Sequence, residues 1–391
     1  MTPCERTPLA EVLDLLKVGE ALPFHVLDPA ERRLLAQGHV VVSDTQLEML
    51  VARGAWVDAE QALALRRQRQ AATTAAAPAV QRTLTLFDRW EQMVWELDQV
   101  LRRVLAGQPS ETELQALADR LLARVRRHED GALFITVRPP EWRFALYALQ
   151  HALHTATVLV VLSRQMGWSP AEVRTLVLAA LTMNVSTLEL QALMAQQPDP
   201  PTTRQRALIR AHPEESVRLL RQAGVRDDGW LQTVQDHHER PDGSGYPLGL
   251  SAISPWAHAV RVADVFTAKI SPRANRQSMP IQNAAKQLFQ EEKGGPLAAG
   301  LIKALGLYPP GETVQLKSGE VAVVTHRGAT ATTPRVASIT NEAGKPVADT
   351  VPRDTAEPAH AITGVVVDRR SLPRVLPERV YGLVVEEDEP R

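Results

Sequence analysis

Cysteine is almost absent from this chain of 391 residues, and aromatic residues are scarce. The single cysteine, Cys4, excludes a disulfide framework and any metal site built from several thiolates. Charge of one sign is not in excess either, because 44 basic residues balance 45 acidic ones, so we expect neither nucleic acid nor a membrane surface as a partner. Aromatic residues make up only 4% of the chain, and the many leucines and alanines favour a mainly helical interior.

Long apolar runs are missing as well. No uninterrupted apolar stretch approaches the ~18 residues of a membrane span, and the N-terminus lacks the pattern of a secretion signal. Together with the lack of disulfides, these features predict a cytoplasmic protein. Short apolar runs, such as 158–162 and 176–181, fit pieces of buried helices. The length predicts about two to four structural units.

Residues 1–75 predict a small α/β unit. Short helices are expected at 12–16 and 47–51, and a strand is expected at 38–42, before Ser43, which is suited to cap a helix. The histidines of this unit have no partner residues that the sequence reveals, and we assign them no role.

A helical connector is predicted at 76–139. A tract rich in Gln, Arg, Ala and Thr, from about 66 to 80, indicates a linker or the extended end of a helix. Apolar residues then recur at helical spacing until Gly107-Gln108-Pro109 interrupts the pattern. Ser110, three residues before Glu113, predicts a capping box at the start of the next helix.

The largest unit is predicted at 140–307 and consists of long helices with caps such as Ser169. Residues 308–391 change to a rhythm of strands and turns, including a hairpin around Gly319, and end in an acidic tail at 386–389. The sequence therefore predicts a mainly α protein, in which a helical core is flanked by a small α/β N-terminal unit and a small β C-terminal unit.

The most informative stretch is 237–247, which reads His-His-Glu-Arg-Pro-Asp-Gly-Ser-Gly-Tyr-Pro. Histidine is the commonest transition-metal ligand in proteins. Gly243 and Gly245 permit a positive φ, and Pro247 stiffens the end of the turn. Paired metal ligands that lead into a sharply shaped loop indicate the floor of a small active site. An ordinary polar helix end followed by a turn is the simpler alternative.

This stretch resembles the second signature of the HD-GYP family, a branch of the HD metal-phosphohydrolase superfamily whose members hydrolyse cyclic di-GMP. Other positions resemble the family in the same order: a first helix histidine, a His-Pro step, an Ala-Asp helix and a following arginine. These positions are His154, His212-Pro213, Asp264 and Arg273. The resemblance covers residues 140–305, and it implies the family's helical fold.

The family's own His-Asp pair is replaced in this chain. The family pattern resembles Ala-Ala-Leu-Leu-His-Asp-Ile-Gly-Lys, whereas residues 179–187 read Ala-Ala-Leu-Thr-Met-Asn-Val-Ser-Thr. Met183 stands in the place of the histidine, Asn184 in that of the aspartate and Thr187 in that of the lysine. Three chemically essential positions have therefore changed together.

The resemblance implies metal-assisted hydrolysis of a phosphodiester, in which two iron or manganese ions hold the attacking hydroxide. The family's ligand positions correspond here to His154, Met183, Asn184, His212, His237, His238 and Asp264. Met183 offers a soft thioether and Asn184 a neutral amide, both poor donors for these ions. Five ligands remain: His154, His212, His237, His238 and Asp264. They imply one iron or manganese ion rather than the full two-metal site, and they leave no residue to which a catalytic role can be assigned.

Two further residues are predicted to bind substrate by the same resemblance: Arg273, which would contact phosphate, and Tyr246, which lies in the glycine-rich loop. Simpler interpretations remain open, since Arg273 suits a solvated basic face and Tyr246 suits a plug of the helical core. Likewise, His154 could be a core residue, His212 a helix cap and Asp264 a hydrogen-bond partner of the loop. His151 has no counterpart in the family pattern and is predicted to lie on the surface.

We expect an HD-GYP protein of bacterial cyclic di-GMP signalling that binds nucleotide or protein partners with little or no hydrolysis. Its partners would be cyclic di-GMP or a related nucleotide, a diguanylate cyclase of the GGDEF type that contacts the loop, and a second copy of the chain. An active metal-dependent phosphodiesterase and a structural scaffold remain the alternatives. Metal content distinguishes them, because two ions per chain indicate an enzyme and none indicates a scaffold.

Overall fold

The computed structural model describes residues 6–17, 20–41, 44–72, 84–138, 144–367, 372, 376–382 and 384. Helices dominate, and the strands form two small antiparallel sheets. The mainly α fold class predicted from the sequence is confirmed, with one sheet on each side of the helical core along the chain.

The N-terminal sheet has four short strands in the order β1-β4-β2-β3. The elements of this unit are β1 (Arg6–Pro8), a 3-10 helix (Leu9–Leu15), β2 (Val26–Leu27), β3 (Arg33–Leu35), α1 (Asp44–Ala52), β4 (Trp56–Asp58) and α2 (Ala59–Ala72). The strand predicted at 38–42 is wrong for its described residues, because Val40 makes one isolated bridge with Ala21 and no strand. Ser43 and most of the predicted linker after Ala72 lie outside the described residues.

The connector consists of α3 (Leu86–Leu105), α4 (Glu111–Arg127) and α5 (Glu129–Val137). The predicted interruption at Gly107-Gln108-Pro109 separates the first two helices. The capping box predicted at Ser110 is wrong, because the Ser110 hydroxyl donates to the Gln108 carbonyl at 2.9 Å and makes no cap hydrogen bond. A capping box instead opens α3, where Thr85 and Asp88 satisfy each other's backbone N–H groups.

Eight α-helices build the core unit among the described residues: α6 (Tyr147–Met166), α7 (Pro170–Thr182), α8 (Leu188–Gln196), α9 (Thr203–Gln222), α10 (Asp228–Asp236), α11 (Pro255–Ile270), α12 (Ile281–Glu291) and α13 (Pro296–Leu305). A 3-10 turn, Val185–Thr187, links α7 to α8. The predicted cap at Ser169 is present, because its hydroxyl accepts the Glu172 N–H and the Glu172 carboxylate accepts the Ser169 N–H. These signals fix where α7 begins.

Two helical stretches of this unit, Phe144–Met166 and Pro170–Gln196, are long and apolar enough to cross a membrane by length and composition. Within the apolar parts of these stretches, 89% and 67% of the residues are buried in the protein. Their apolar side chains pack in the main hydrophobic core, so burial inside the helical unit accounts for their composition.

The C-terminal sheet has five strands in the order β8-β7-β6-β5-β9. Its elements are β5 (Thr313–Leu316), β6 (Val321–His326), β7 (Arg335–Thr340), β8 (Pro346–Asp354), β9 (Ile362–Val365) and the short helix α14 (Pro377–Tyr381). The predicted hairpin joins β5 to β6, and Gly319 turns it with a φ of +92°. The acidic tail at 386–389 lies outside the described residues.

Ion pairs join both outer units to the helices. Arg327, just after β6, binds Asp130 of α5 at 2.5 Å. Arg53, just after α1, donates to the fully buried carboxylate of Asp98 on α3 at 2.6 Å. Removing Arg53 would leave the buried Asp98 carboxylate with Arg102, at 3.0 Å, as its remaining cation, and loss of a partner from a buried ion pair is destabilising.

Candidate metal and ligand site

Three histidines from the end of α10 and the middle of α9 converge on one point. Among the described residues, His212, His237 and His238 each offer one ring nitrogen, and these nitrogens all lie within 4.8 Å of one another. His212 belongs to α9, and His237 is the C-cap residue of α10. The sequence predicted all three as metal ligands, and the fold brings them together.

Backbone carbonyl groups fix the orientation of two of these rings. Nδ1 of His212 lies 2.5 Å from the carbonyl oxygen of Ile209, and Nδ1 of His237 lies 2.7 Å from that of Val234. A carbonyl oxygen only accepts, so each Nδ1 must carry the proton and each neutral ring then has a lone pair on Nε2. This is the tautomer in which histidine binds a metal through Nε2.

The distance between the two Nε2 atoms fits a shared ion. They are 3.1 Å apart. Two lone pairs facing each other at this distance repel, because neither atom has a proton to donate. With metal–nitrogen bonds of about 2.1 Å, adjacent ligands of one ion lie about 3.0–3.4 Å apart. The donor geometry therefore fits a cation between His212 and His237, with His238 as a third nitrogen ligand.

Burial keeps these histidines neutral. Desolvation, together with the neighbouring His237, lowers the pKa of His212 to about 3. Desolvation also lowers the pKa of His237, and burial beside His237 lowers that of His238 well below its usual value. At neutral pH all three rings are in the form that binds metals.

Asp264 of α11 lies close to this cluster, but its carboxylate is bonded to another histidine. Nε2 of His151 on α6 is 2.6 Å from Oδ1 of Asp264, and both residues are buried. Burial raises the pKa of the Asp264 carboxyl, but the hydrogen bond from His151 outweighs it and holds the pKa well below its usual range. The prediction that His151 lies on the surface is therefore wrong.

His154, the fifth predicted ligand, is buried on α6 and is not a member of the three-histidine cluster. Burial and the nearby His151 lower its pKa to about 3, so it is neutral at physiological pH. The structure thus gathers three of the five predicted ligands, places Asp264 on His151, and leaves a metal role for His154 as a prediction.

The guanidinium group of Arg273 is linked to the buried His151–Asp264 pair through the side chain of Tyr147. Arg273 donates to the Tyr147 hydroxyl from Nη2 at 2.6 Å and from Nε at 3.1 Å. The Tyr147 ring stacks on His151 with 5.6 Å between ring centroids and 7° between planes. Arg276 lies close enough that burial and the charge of Arg273 lower its pKa. Two guanidinium groups therefore sit together at this edge of the site, as an anion-binding site requires.

The loop after His238 is held by a buried carboxylate. Oε1 of Glu239 accepts the N–H groups of Leu248 and Gly249 at 2.7 and 3.1 Å, and Oε2 accepts that of Leu250 at 2.9 Å. Gly245 is required for a different reason. A Cβ there would lie 2.5 Å from the Arg240 nitrogen, so any side chain would collide with the backbone.

Tyr246 lies directly over the cluster. Its ring stacks on His238 with centroids 4.5 Å apart and an angle of 24°. Arg210 of α9 also lies over this ring, with its guanidinium carbon 5.7 Å from the ring centroid. Sequence reasoning missed Arg210 because its spacing from His212 carries no motif, and missed Tyr147 and His151 because their partners are distant in sequence.

The segment 183–187 contains no histidine, cysteine or acidic residue that could join the three-histidine cluster. The Met183 side chain is fully buried and belongs to the main hydrophobic core. The Thr187 hydroxyl donates to the Asn184 carbonyl at 3.2 Å. The Ser186 hydroxyl donates to the His212 carbonyl at 3.1 Å and lies 2.9 Å from the Ser216 hydroxyl. Ser186 therefore joins this segment to α9, whereas Thr187 bonds within the segment.

Known proteins are similar to the part of the chain that contains this site. An HD-domain family model matches residues 115–294. The cyclic di-GMP phosphodiesterase PA4108 of Pseudomonas aeruginosa is 28% identical over 225 residues, which are 56% of this chain and 54% of that protein. The cyclic di-GMP phosphodiesterase response regulator RpfG of Xanthomonas campestris is 31% identical over 185 residues, 45% of this chain and 48% of that protein. The chain thus spans about half the length of these relatives.

A further relative has a different named substrate. The 3'3'-cGAMP-specific phosphodiesterase 1 of Vibrio cholerae is 27% identical over 153 residues, 39% of this chain and 35% of that protein. Among solved structures, Bd1817, an HDGYP protein from Bdellovibrio bacteriovorus, superposes with a TM-score of 0.47 at 16% identity and covers 77% of this chain and 99% of that one. The family match at residues 115–294, the phosphodiesterase relatives and the His-His-Glu and Gly-Tyr-Pro residues at one site together support an HD-GYP family protein.

Proposed function

We propose that this chain binds a cyclic dinucleotide in cyclic di-GMP signalling, at a site that holds one iron or manganese ion and has little or no hydrolytic activity. The observation that carries the proposal is the contrast within the site. His212, His237 and His238 present converging nitrogens, whereas the segment 183–187 contains no histidine, cysteine or acidic residue. The named activities of the relatives, which act on cyclic di-GMP or 3'3'-cGAMP, support the ligand class.

His212, His237 and His238 would hold the ion, and Asp264 would join them if it left His151. When bound, the ion would act as a Lewis acid that polarises a phosphate oxygen. The protein's own part is to present neutral imidazoles from a buried site and to keep their Nε2 lone pairs directed at one point. Three nitrogen ligands suffice for a site that keeps a position open for a ligand.

The remaining residues would bind the rest of a dinucleotide. Arg273, with Arg276 beside it, supplies positive charge for a phosphate, in agreement with its predicted role in substrate binding. Release of Arg273 from the Tyr147 hydroxyl would free both of its donors for a bidentate phosphate contact. Tyr246 offers the exposed part of its ring for stacking, and Arg210 lies over that ring.

The expected loss of hydrolysis follows from the segment 183–187. In place of a histidine, a carboxylate and a lysine, it has a buried thioether, an amide and a hydroxyl that bonds to the backbone. Loss of one group that stabilises a developing charge typically lowers a rate by ~10²–10³. Loss of a second ion and of a phosphate-binding cation together would lower it further.

Metal analysis, ligand binding and turnover measured on one purified sample test the proposal. We expect about one ion per chain, calorimetric binding of cyclic di-GMP or 3'3'-cGAMP, and no turnover above the rate of a His237→Ala control. His237→Ala should lose the ion, and the matched variant His360→Ala, in the C-terminal unit, should keep it. A chain with neither ion nor nucleotide binding contradicts the proposal and favours a scaffold.

An active phosphodiesterase is the second candidate, and the neutral three-histidine cluster favours it. Turnover of ~1 s⁻¹ or more, in the range of ordinary enzymes, that disappears in His237→Ala would establish this activity and overturn the expected loss of hydrolysis.

Protein partners form a separate part of the proposal. The outer side of the glycine-rich loop has exposed side chains at Arg240, Asp242 and Leu248, and Leu248 is 58% exposed. Together they form a mixed apolar and charged surface of the kind that protein interfaces use. We propose this surface for a GGDEF-type cyclase. A second copy of the chain is the other predicted partner, and sedimentation with and without nucleotide tests it.

A further inference from the structure

Pro213 lies inside α9, immediately after the ligand His212. A proline in a helix interior is unusual, because it has no N–H for the carbonyl four residues earlier and its ring crowds that carbonyl. The chain tolerates this disruption near the centre of a helix of 20 residues. The site offers a reason for it.

The carbonyl that Pro213 leaves without its helical donor is that of Ile209. Nδ1 of His212 lies 2.5 Å from this oxygen, closer than most N–H···O hydrogen bonds. Thus the imidazole of the residue just before the proline takes the place of the missing backbone donor. In an unbroken helix the Ile209 oxygen would accept from the N–H of residue 213, and the ring would have to share it with that donor.

We infer that Pro213 is a positioning residue for metal binding: it frees the Ile209 carbonyl to accept from Nδ1 of His212 and so fixes the tautomer whose Nε2 lone pair faces the cluster. The inference rests on the metal site of the proposed function, but it concerns a property of the protein without metal. The Nε2 atom of His212 does face the cluster, because it lies 3.1 Å from the Nε2 atom of His237.

His237 reaches the same state by a different route. Its Nδ1 donates to the Val234 carbonyl at 2.7 Å, and α10 ends at Asp236. The last four carbonyls of a helix have no helical donor, so a free acceptor is available there without a proline. His212 lies in mid-helix, where the Ile209 carbonyl would otherwise already accept from a backbone N–H and the ring could bind it only as a second donor. This difference explains why a proline follows one ligand and not the other.

The test compares Pro213→Ala with the wild type, both without metal. Alanine restores a backbone N–H that competes for the Ile209 oxygen. Nitrogen-15 NMR of the histidine rings should then show His212 moving from the Nδ1–H tautomer to a mixture, while His237 remains Nδ1–H as an internal control. Affinity for Co²⁺, followed by its visible absorption, should fall about 10–100-fold, as for other residues that orient a metal ligand.

Stability separates positioning from a structural role. Because alanine favours the helix interior far more than proline does, the variant should melt at the same temperature as the wild type or higher while it binds Co²⁺ more weakly. Pro296→Ala, at the exposed first position of α13, where a proline removes no helical hydrogen bond, should change neither property.

Two results would overturn the inference. One is a folded Pro213→Ala protein in which His212 stays Nδ1–H and the Co²⁺ affinity is unchanged. The other needs no variant: a wild-type spectrum in which His212 is the Nε2–H tautomer. These two results can be told apart from a failure of the proposed function. A wild-type protein that binds no cyclic dinucleotide would contradict that function, but it would not change the tautomer of His212 or its dependence on Pro213.

Discussion

The two halves of the site make opposite use of the protein backbone. In the half formed by α9 and α10, backbone carbonyls accept from Nδ1 of His212 and His237 and leave the outer ring nitrogens free for a ligand. In the segment 183–187, the side-chain hydroxyls of Ser186 and Thr187 instead donate to backbone carbonyls. The half of the site that can bind a ligand therefore depends on the backbone carbonyls that orient its histidines as well as on the histidines themselves.

The segment 183–187 makes contacts that stabilise the half of the site formed by α9 and α10. Ser186 stands where the family pattern has glycine, and its hydroxyl bonds to the His212 carbonyl and to Ser216. These contacts hold α9 beside the 3-10 turn at the residue that carries the ligand. The segment 183–187 thus helps to hold in place the helix that carries His212.

Restoring the lost ligands gives the largest expected change. The triple variant Met183→His, Asn184→Asp and Thr187→Lys should raise the metal content from about one ion to about two, because it returns a nitrogen donor and a bridging carboxylate. Single reversions should do little, since residues of a metal site act together. A folded triple variant with unchanged metal content would mean that core packing now fills the second position.

Met183→Ala is expected to separate stability from metal binding. Removing a fully buried methionine side chain leaves a cavity and should lower the free energy of unfolding by about 2–5 kcal/mol. The metal content should not change, because the thioether is not a ligand. Urea unfolding and metal analysis measure the two quantities, with Met194→Ala, half-buried on α8, as the milder control. Loss of the ion in Met183→Ala would place this residue in the site.

The buried histidines predict a dependence of stability on pH. The pKa of His154 falls from 6.5 to about 3 on folding, so the unfolded chain binds more protons between these values. Stability is fully present above pH 6.5 and should decline as the pH falls toward 3, at up to about 1.4 kcal/mol per pH unit for this residue. In chelator, His154→Gln should show a shallower decline than the wild type. If the free energy of unfolding falls equally with pH in both proteins, His154 is not a neutral buried group.

Substitutions at Tyr246 and Leu248 have the smallest expected effects, and the two should affect different kinds of binding. The stack of Tyr246 on His238 is worth about 0.5–1.5 kcal/mol, so Tyr246→Ala should weaken Mn²⁺ binding by less than about tenfold. Leu248→Ala, on the outer face, should leave Mn²⁺ binding unchanged and weaken capture of a GGDEF-domain protein. If Tyr246→Ala lowers the melting temperature strongly and changes neither kind of binding, the ring is a plug of the core.

The sequence predicted the parts of the site that lie in short motifs. The pair His237-His238 before a glycine-rich loop was identified from local chemistry and the mainly helical interior from composition, whereas His212 and the helical core fold were implied by the resemblance to the HD-GYP family. The pairing of His151 with Asp264 was missed because 113 residues separate them. One signal was present: Tyr147, His151 and His154 recur at helical spacing, which places them on one face of α6.

The N-terminal unit was harder to predict for a related reason. Its strands have two or three residues, too few for alternation of apolar and polar side chains to appear. Ser110 shows the same limit, since a capping box and a bond to the Gln108 carbonyl use one hydroxyl, and the path of the preceding loop decides between them.

Glu239 has a consequence for how the loop meets a partner. By accepting three N–H groups from 248–250, its buried carboxylate closes residues 239–250 into a ring without a covalent bond. Closing such a loop costs conformational entropy, and here that cost is met when the protein folds. A molecule that docks on Leu248 therefore contacts a surface that is already ordered, so that little further entropy is lost on association.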